Sequence, residues 1–183
     1  MQQPLSYWCG KYRELLDHAL CLDIETTGWN QSISVIGLYR PASGVPEILQ
    51  LVRGKDLTKE NVQAAFSGAQ LLITYNGFAL DIKRINEEFP GCIPKGIIVF
   101  DLFYVAQRLG IHTDLKVLEN TFGIERLDEF SKRKYIAVKL WKQYQRRNDL
   151  TALSKLLEYN RQDTINLYPL AEELCGLVRK AGC

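Results

Sequence analysis

Short apolar runs separated by turn residues dominate the first hundred positions of the chain. They predict five strands, which cover residues 19–25, 33–39, 48–52, 70–75 and 96–100. Each run has the length and the flanking turn residues of a buried strand. The first three runs follow one another through turn-rich connections at 28–30 and 41–46, which predicts an antiparallel meander. The last two are separated by helical segments, which favours parallel pairing.

Helical patterns fill the connections and the second half of the chain. The predicted helices cover residues 59–66, 79–89, 102–108, 114–122, 135–146 and a final stretch from 149 or 151 toward 178. Pro90 stops the second helix, while Asp101 and Thr113 are the predicted N-caps of the third and fourth. The fold class is therefore α/β: a five-stranded mixed sheet flanked by helices, with a helical C-terminal half. A length of 183 residues predicts a single domain over residues 1–183.

Composition narrows the class of protein. Hydrophobic residues make up 46% of the chain and charged residues 24%, which is typical of a globular protein. No apolar run approaches the roughly 18–20 residues of a membrane span, and the N-terminus has no targeting pattern, so a cytoplasmic protein without membrane contact is expected. The five cysteines are scattered without a C-x-x-C pair, and His18 and His112 stand alone. These patterns argue against a disulfide framework and a zinc site.

Two carboxylates stand at the end of the first predicted strand. Asp23 and Glu25 are separated by one apolar residue, so they project from the same face of the strand. Carboxylate oxygens are hard ligands that suit Mg²⁺ or Mn²⁺. The turn residues that follow, 26–28, would bring backbone close to a bound ion and its ligand. Acids at strand ends are also common on ordinary surfaces, so this pair alone does not define a site.

Two further motifs contain acids in suitable positions. Asn76 and Gly77 end the fourth predicted strand, and Asp81 lies in the first turn of the next helix, where it would also stabilise the helix dipole. Tyr159 and Asp163 are four residues apart on the last predicted helix, and therefore share one face. Each motif alone is compatible with an ordinary helix surface. The three together predict one site at the carboxyl edge of the sheet.

In order and spacing, these motifs resemble the DEDD 3′-to-5′ exonucleases of the ribonuclease-H-like superfamily. The three motifs are Asp23-Ile24-Glu25, residues 76–81 and residues 159–163. The Tyr-x-x-x-Asp form of the third matches the tyrosine subclass. Nearly the whole chain also resembles the YprB-like branch, through residues 23–28, 75–77, 100–102 and 158–164. Members of that branch commonly carry His at the position of Tyr159, and some carry an added helical-repeat region, so this chain departs from them.

The resemblance implies roles for individual residues. Two Mg²⁺ or Mn²⁺ ions would be bound by four acids, and these are Asp23, Glu25, Asp81 and Asp163. Tyr159 would orient the attacking water. Thr26, Asn76 and Phe78 lie where family members contact the substrate, whereas Asp101 is outside the ligand pattern and is explained as a helix cap.

The implied reaction is hydrolysis of phosphodiester bonds at single-stranded DNA or RNA ends, with DNA favoured over RNA. Two alternatives share the same fold. One is a nucleic-acid-binding module with weak or no catalysis, and the other is a structure-selective metal-dependent endonuclease.

A basic, aromatic stretch occupies residues 131–147. It contains seven cations and no acid, although the whole chain has a formal net charge of only +2. The cations are Lys132, Arg133, Lys134, Lys139, Lys142, Arg146 and Arg147, and the aromatic residues are Tyr135, Trp141 and Tyr144. One interpretation is a surface that binds phosphates through residues such as Lys142 and Arg146 and stacks bases on the aromatic rings. The other is a helix whose aromatic stripe is packed and whose charges are solvated.

Overall fold

The computed structural model describes residues 3–28, 31–43, 48–126 and 136–182. Its five strands are β1 (Ala19–Thr26), β2 (Ile33–Tyr39), β3 (Ile48–Val52), β4 (Leu71–Thr74) and β5 (Ile98–Asp101). They form one sheet in the order β3-β2-β1-β4-β5. The pairs β1–β2 and β2–β3 are antiparallel, whereas β1–β4 and β4–β5 are parallel. The predicted mixed sheet, a meander followed by parallel strands, is confirmed.

Helices cover both faces of this sheet. They are α1 (Leu5–Glu14), α2 (Lys59–Ala65), α3 (Asp81–Glu88), α4 (Leu102–Arg108), α5 (Leu115–Thr121), α6 (Ile136–Arg147), α7 (Leu150–Ile165) and α8 (Leu167–Lys180). One hydrophobic cluster packs α1, α4 and α8 against the sheet. A second packs α2 and α3 against the opposite face. The first half of β1 is buried on both faces as a result, which explains its continuous apolar run.

The N-terminal helix α1 was not predicted. Leu5, Cys9 and Tyr12 are its buried residues. They recur at spacings of four and three, which is the helical signal that the strand-based interpretation overlooked.

The predicted N-cap Thr113 is wrong by one residue. The carboxylate of Asp114 accepts the backbone N–H of Val117 at 3.0 Å and begins α5. The carbonyl of Thr113 accepts the hydroxyl of Tyr75 at 2.7 Å instead. Asp114 is the stronger cap because an ionised oxygen makes a stronger hydrogen bond with backbone N–H groups.

The single final helix of the prediction is in fact two helices. α7 ends at Ile165 and α8 begins at Leu167, with Asn166 between them. Pro169 explains the break, because it has no N–H to donate to the carbonyl of Ile165 and its ring crowds that carbonyl. Because of this break, α7 need not follow the axis of α8. It packs across β1 and β2.

Several predicted features lie outside the described residues. They are residues 29–30 and 44–46 of the two meander connections, residues 131–135 of the basic stretch, and Cys183. The other four cysteines are buried and free, as expected. Among the helices that the structure describes, none combines the length and the apolar character needed to cross a bilayer.

Candidate metal centre

Three carboxylates meet at the carboxyl end of the central strand. Asp23 and Glu25 extend from β1, and Asp163 comes from α7, which crosses that face of the sheet. One carboxylate oxygen from each residue lies within 4.8 Å of the other two. Three oxygen ligands at this separation suit a hard divalent cation, which would also relieve their mutual repulsion. The cluster can therefore hold a metal ion.

Asp81 lies beside this cluster and outside its three-oxygen group. It is the first residue of α3, and its Oδ1 accepts the backbone N–H of Ile24 at 3.0 Å. Because Ile24 lies between the two acids of β1, this bond joins the start of α3 to the end of the strand. Asp23, Thr26 and Asp81 together line a groove of about 360 Å³. All four predicted acids are thus at one edge of the sheet.

The negative charges of these four acids repel one another. Burial raises the pKa of Asp23 well above its usual value, and the charges of Glu25, Asp163 and Asp81 raise it further. Burial, followed by the charges of Asp163 and Asp81, does the same to the pKa of Glu25. Burial raises the pKa of Asp81 to about 7. Without a cation, the folded protein therefore holds protons that the unfolded chain releases.

This retention of protons predicts an unusual pH dependence for the metal-free protein. In the unfolded chain, Asp and Glu have pKa values of about 3.9 and 4.3. Because the folded pKa of Asp81 is about 7, the folded state binds more protons from about pH 4 to about pH 7. In chelator, the free energy of unfolding should therefore fall as pH rises through that window. With saturating Mn²⁺, which binds the deprotonated acids, the fall should disappear. Denaturant unfolding at pH 5, 6, 7 and 8 would measure both, and a metal-free stability that rises with pH would contradict the expectation.

The buried guanidinium of Arg126 and the half-buried ammonium of Lys116 balance the negative charge on the side of Asp163. Arg126 forms ion pairs with Asp163 and with Glu119, the latter at 2.5 Å, and the Arg126 and Glu119 side chains are 5% and 0% exposed. The Lys116 ammonium lies 4.6 Å from the centre of the Tyr159 ring. Neither Arg126 nor Lys116 was found from the sequence, because no local pattern links them to the motifs.

Tyr159 lies where it can hydrogen-bond at the acid cluster. It makes a side-chain hydrogen bond with Asp163, one turn further along α7. Burial, and then the negative charges of Asp163 and Glu25, raise the pKa of the Tyr159 phenol. The phenol therefore stays protonated and can donate a hydrogen bond.

Asn160 orients the first acid of the cluster. Asp23, Gly37 and Gln50 pair side by side across β1, β2 and β3. The fully buried Asn160 of α7 lies over this row. Its Nδ2 donates to Asp23 Oδ2 at 2.8 Å, and its Oδ1 accepts from Gln50 Nε2 at 2.8 Å. Because Gln50 donates to one end of the amide, the other end must present its N–H groups to Asp23.

Asp101 does more than cap α4. Its Oδ1 accepts the N–H of Phe103, as predicted, and also that of Asn76 at 2.7 Å, while its Oδ2 accepts the N–H of Phe78 at 3.0 Å. This loop needs support because Asn76 has a φ of 59°. The predicted helix start at residue 79 is therefore wrong: residues 77–80 form a turn, and α3 begins at Asp81.

Replacing Asp101 with asparagine should destabilise the fold by roughly 2–3 kcal/mol, because an amide group would face N–H donors with its own N–H. Asp114→Asn is a matched control, since this cap is exposed and asparagine caps as well as aspartate. It should change stability by less than about 0.5 kcal/mol. Urea unfolding of both variants would test this. If both variants lose the same free energy of unfolding, Asp101 acts only as a helix cap.

Among the predicted substrate residues, Thr26 lines the acid groove, and Asn76 and Phe78 are chain neighbours of Tyr75 and Ala79, which also line it. Thr26 lines the groove and donates its hydroxyl to the carbonyl of Gly28 at 2.9 Å. Phe78 and Leu80 are 63% and 58% exposed, which is unusual for large apolar side chains. Asn76 begins the loop that carries them. This loop therefore presents apolar surface next to the groove that Asp23 and Asp81 line.

Within residues 136–147, the described part of the basic stretch, the aromatic residues pack as in the second of the two interpretations that the sequence left open. Trp141 is only 1% exposed, so its ring is packed and is not open to stacking on bases. Tyr144 is half-buried and lies 5.5 Å from Trp141, ring centre to ring centre. The aromatic stripe packs α6 against the protein. Lys142 and Arg146, by contrast, are exposed.

A mixed sheet with a carboxylate cluster at the end of its central strand is the arrangement of a ribonuclease-H-like nuclease. A family model described as the RNase H superfamily matches residues 20–175. The chain belongs to this superfamily, and its acid cluster indicates a nuclease-type function. No curated protein matches the chain, and no solved structure does.

Proposed function

We propose that the protein is a 3′-to-5′ exonuclease of the DEDD type, in its tyrosine form, and that its nearest kinship is with the YprB-like branch. Its substrates would be single-stranded nucleic acid ends, with DNA favoured over RNA. The observation that carries this proposal is the position of Tyr159 and Asp163, which lie one turn apart on α7 against the acids of β1. A merely structural acid cluster would not require a half-buried phenol beside it.

The donor set fits Mg²⁺ or Mn²⁺. Asp23, Glu25 and Asp163 would hold one ion, and the groove between Asp23 and Asp81 offers oxygens for a second. When bound, the ions would activate a water and stabilise the leaving 3′ oxygen. The water oxygen would bond to phosphorus as the P–O3′ bond breaks. This releases a nucleoside 5′-monophosphate and leaves a strand shorter by one nucleotide.

The protein's own residues would position this reaction. Asn160 fixes the Asp23 carboxylate, and Arg126 fixes that of Asp163. The neutral phenol of Tyr159 would donate or accept a hydrogen bond at the attacking water. Thr26 and Asn76 would contact the terminal nucleotide, and Phe78 would stack on its base, an interaction that contributes about 1–3 kcal/mol per base in other proteins.

The role of Tyr159 predicts a specific change in turnover. Tyr159→Phe should lower kcat by about a hundredfold, because it removes a hydrogen-bonding group at the water. The stabilisation of the fold by Mn²⁺ should persist, because the acids remain. Tyr144→Phe, on the packed side of α6, is the control and should leave kcat unchanged. If Tyr159→Phe retains full kcat, Tyr159 has only a packing role.

A strand labelled at its 5′ end tests the activity directly. DNA and RNA of one sequence would be incubated with Mg²⁺, Mn²⁺ or chelator, using the parent protein beside Asp163→Asn. A ladder shortened from the 3′ end, absent in chelator and in the variant, supports the proposal. One internal cut would identify an endonuclease, and binding without cleavage would identify a non-catalytic module. Either of the last two results would overturn the proposal.

A further inference from the structure

Among the described residues, a second groove is lined without acids, whereas the first, the acid groove, is lined by Asp23 and Asp81 together with Lys83 and Arg84. The volume of the second groove is about 410 Å³. The residues that line it are Thr27, Gln31, Ser32, Arg53, Lys142, Gln145 and Arg146. Within the part of the chain that the structure describes, no acid lines this groove. It contains three cations and otherwise neutral donors.

The packing of α6 directs the exposed side chains of Lys142 and Arg146 into the second groove. Leu140 and Trp141 are buried with Val35 of β2 in a hydrophobic cluster. Lys142 and Arg146 are one helical turn apart and line the groove together. Because the aromatic residues of this helix face the protein, the helix offers the groove charge and no stacking surface.

The third cation has a structural role. Arg53 forms an ion pair with Glu88 and donates to the carbonyl of Ile33. Its charge is therefore balanced, and the net positive charge of the groove comes from Lys142 and Arg146. Hydroxyl groups of Thr27 and Ser32 complete a lining that suits phosphate oxygens.

Neighbouring residues at the end of β1 line the two grooves. Thr26 lines the acid groove, and its neighbour Thr27 lines the basic one. A strand whose 3′ end lies at the acids must continue away from them. The basic groove offers such a path for the nucleic acid, and it begins at Thr27 of the protein.

We propose that this groove binds backbone phosphates of the substrate strand on the 5′ side of the nucleotide being removed. This inference rests on the proposed function. The contacts would be electrostatic and independent of base sequence, because the groove has cations and hydroxyls but no exposed ring. Lys142 and Arg146 would each neutralise one phosphate.

Salt dependence of binding tests the groove separately from catalysis. Asp163→Asn protein, which would bind without cutting, would be titrated with a fluorescent twelve-nucleotide DNA from 50 to 300 mM salt. Adding Lys142→Ala and Arg146→Ala should weaken binding roughly tenfold at the lowest salt. It should also reduce the slope of log affinity against log salt by about 1.4, since each phosphate contact to a single strand contributes about 0.7.

The matched control removes two other surface lysines, Lys95 and Lys180. Lys95 precedes β5 at the opposite edge of the sheet, and Lys180 ends α8. This pair of changes should leave the slope within about 0.3 of the parent value. Equal slopes for the groove variant and the parent, or equal losses in both variants, would overturn the groove proposal.

Failure of the groove and failure of the exonuclease proposal would be distinguishable. A parent protein that shortens strands, with an unchanged slope in the groove variant, would overturn only the groove. Strand binding that depends on Lys142 and Arg146, without any shortening, would overturn the exonuclease and retain the groove. If protein with an intact groove does not bind the strand at all, the groove proposal is overturned.

Discussion

Replacing Asp23 with asparagine is expected to lower the rate of hydrolysis by at least about a thousandfold. The reason is that Asp23 belongs to the three-acid cluster and also lines the groove shared with Asp81, so it contributes to both places where an ion can bind. Bound ions contribute several kcal/mol of transition-state stabilisation, and about 1.4 kcal/mol corresponds to each factor of ten. Asparagine keeps the size of the side chain, so loss of charge is the change that is tested.

The same variant should lose its response to metal. At a concentration about 100 times its Kd, an ion stabilises a protein by about 2.7 kcal/mol, which raises Tm by roughly 5–10 °C in a chain of this size. The parent should show this rise with Mn²⁺ and Asp23→Asn should not. Asp114→Asn is the control and should respond like the parent. Full metal stabilisation in Asp23→Asn would place the ion elsewhere.

Replacing Gly37 with alanine should clearly destabilise the fold, because the added methyl group has no space. A Cβ at this position would lie 3.0 Å from Asn160 Cγ and closer still to Asn160 Oδ1 and Thr164 Oγ1. Neither side chain can move easily, because Thr164 donates to the Asn160 carbonyl at 2.7 Å and Asn160 is bonded to Asp23 and Gln50. Overpacking of this kind costs roughly 1–3 kcal/mol, or about 2–12 °C in Tm.

Activity should fall with stability in this variant. α7 carries Tyr159 and Asp163, and a shift of about 1 Å in catalytic groups can cost about a hundredfold in rate. Gly176→Ala is a suitable control, because nothing lies within 4 Å of its added Cβ in α8 and alanine favours a helix by about 0.5–1 kcal/mol. Thermal unfolding and turnover would be measured for both. A Gly37→Ala protein as stable and active as the parent would contradict the close packing of α7 on β2.

The sequence was sufficient to predict features that depend on neighbouring residues. Asp23 and Glu25 share a face because strands alternate, and Tyr159 and Asp163 share one because helices repeat nearly every four residues. The five strands followed from apolar runs and turn residues. These patterns also placed Asp23, Glu25 and Asp81 at one edge of the sheet, because the parallel strands β1 and β4 end together.

Features that depend on distant parts of the chain could not be predicted in this way. Asn160 orients Asp23 across 137 positions, and Gln50 orients Asn160 across 110. Asp101 was correctly interpreted as a helix cap, but its bonds to the loop at residues 76–78 depend on β4 and β5 lying side by side. Pro169, by contrast, is a local signal that predicts the break between α7 and α8 and was overlooked.

The most direct test of the central claim compares linear and circular forms of one single-stranded DNA. Both would be incubated with the parent protein and Mn²⁺, with Asp23→Asn as the inactive control. A 3′-to-5′ exonuclease needs a free end, so the linear strand should be shortened stepwise while the closed circle stays intact. Opening of the circle by the parent protein, but not by Asp23→Asn, would show internal cleavage and would contradict the proposed function.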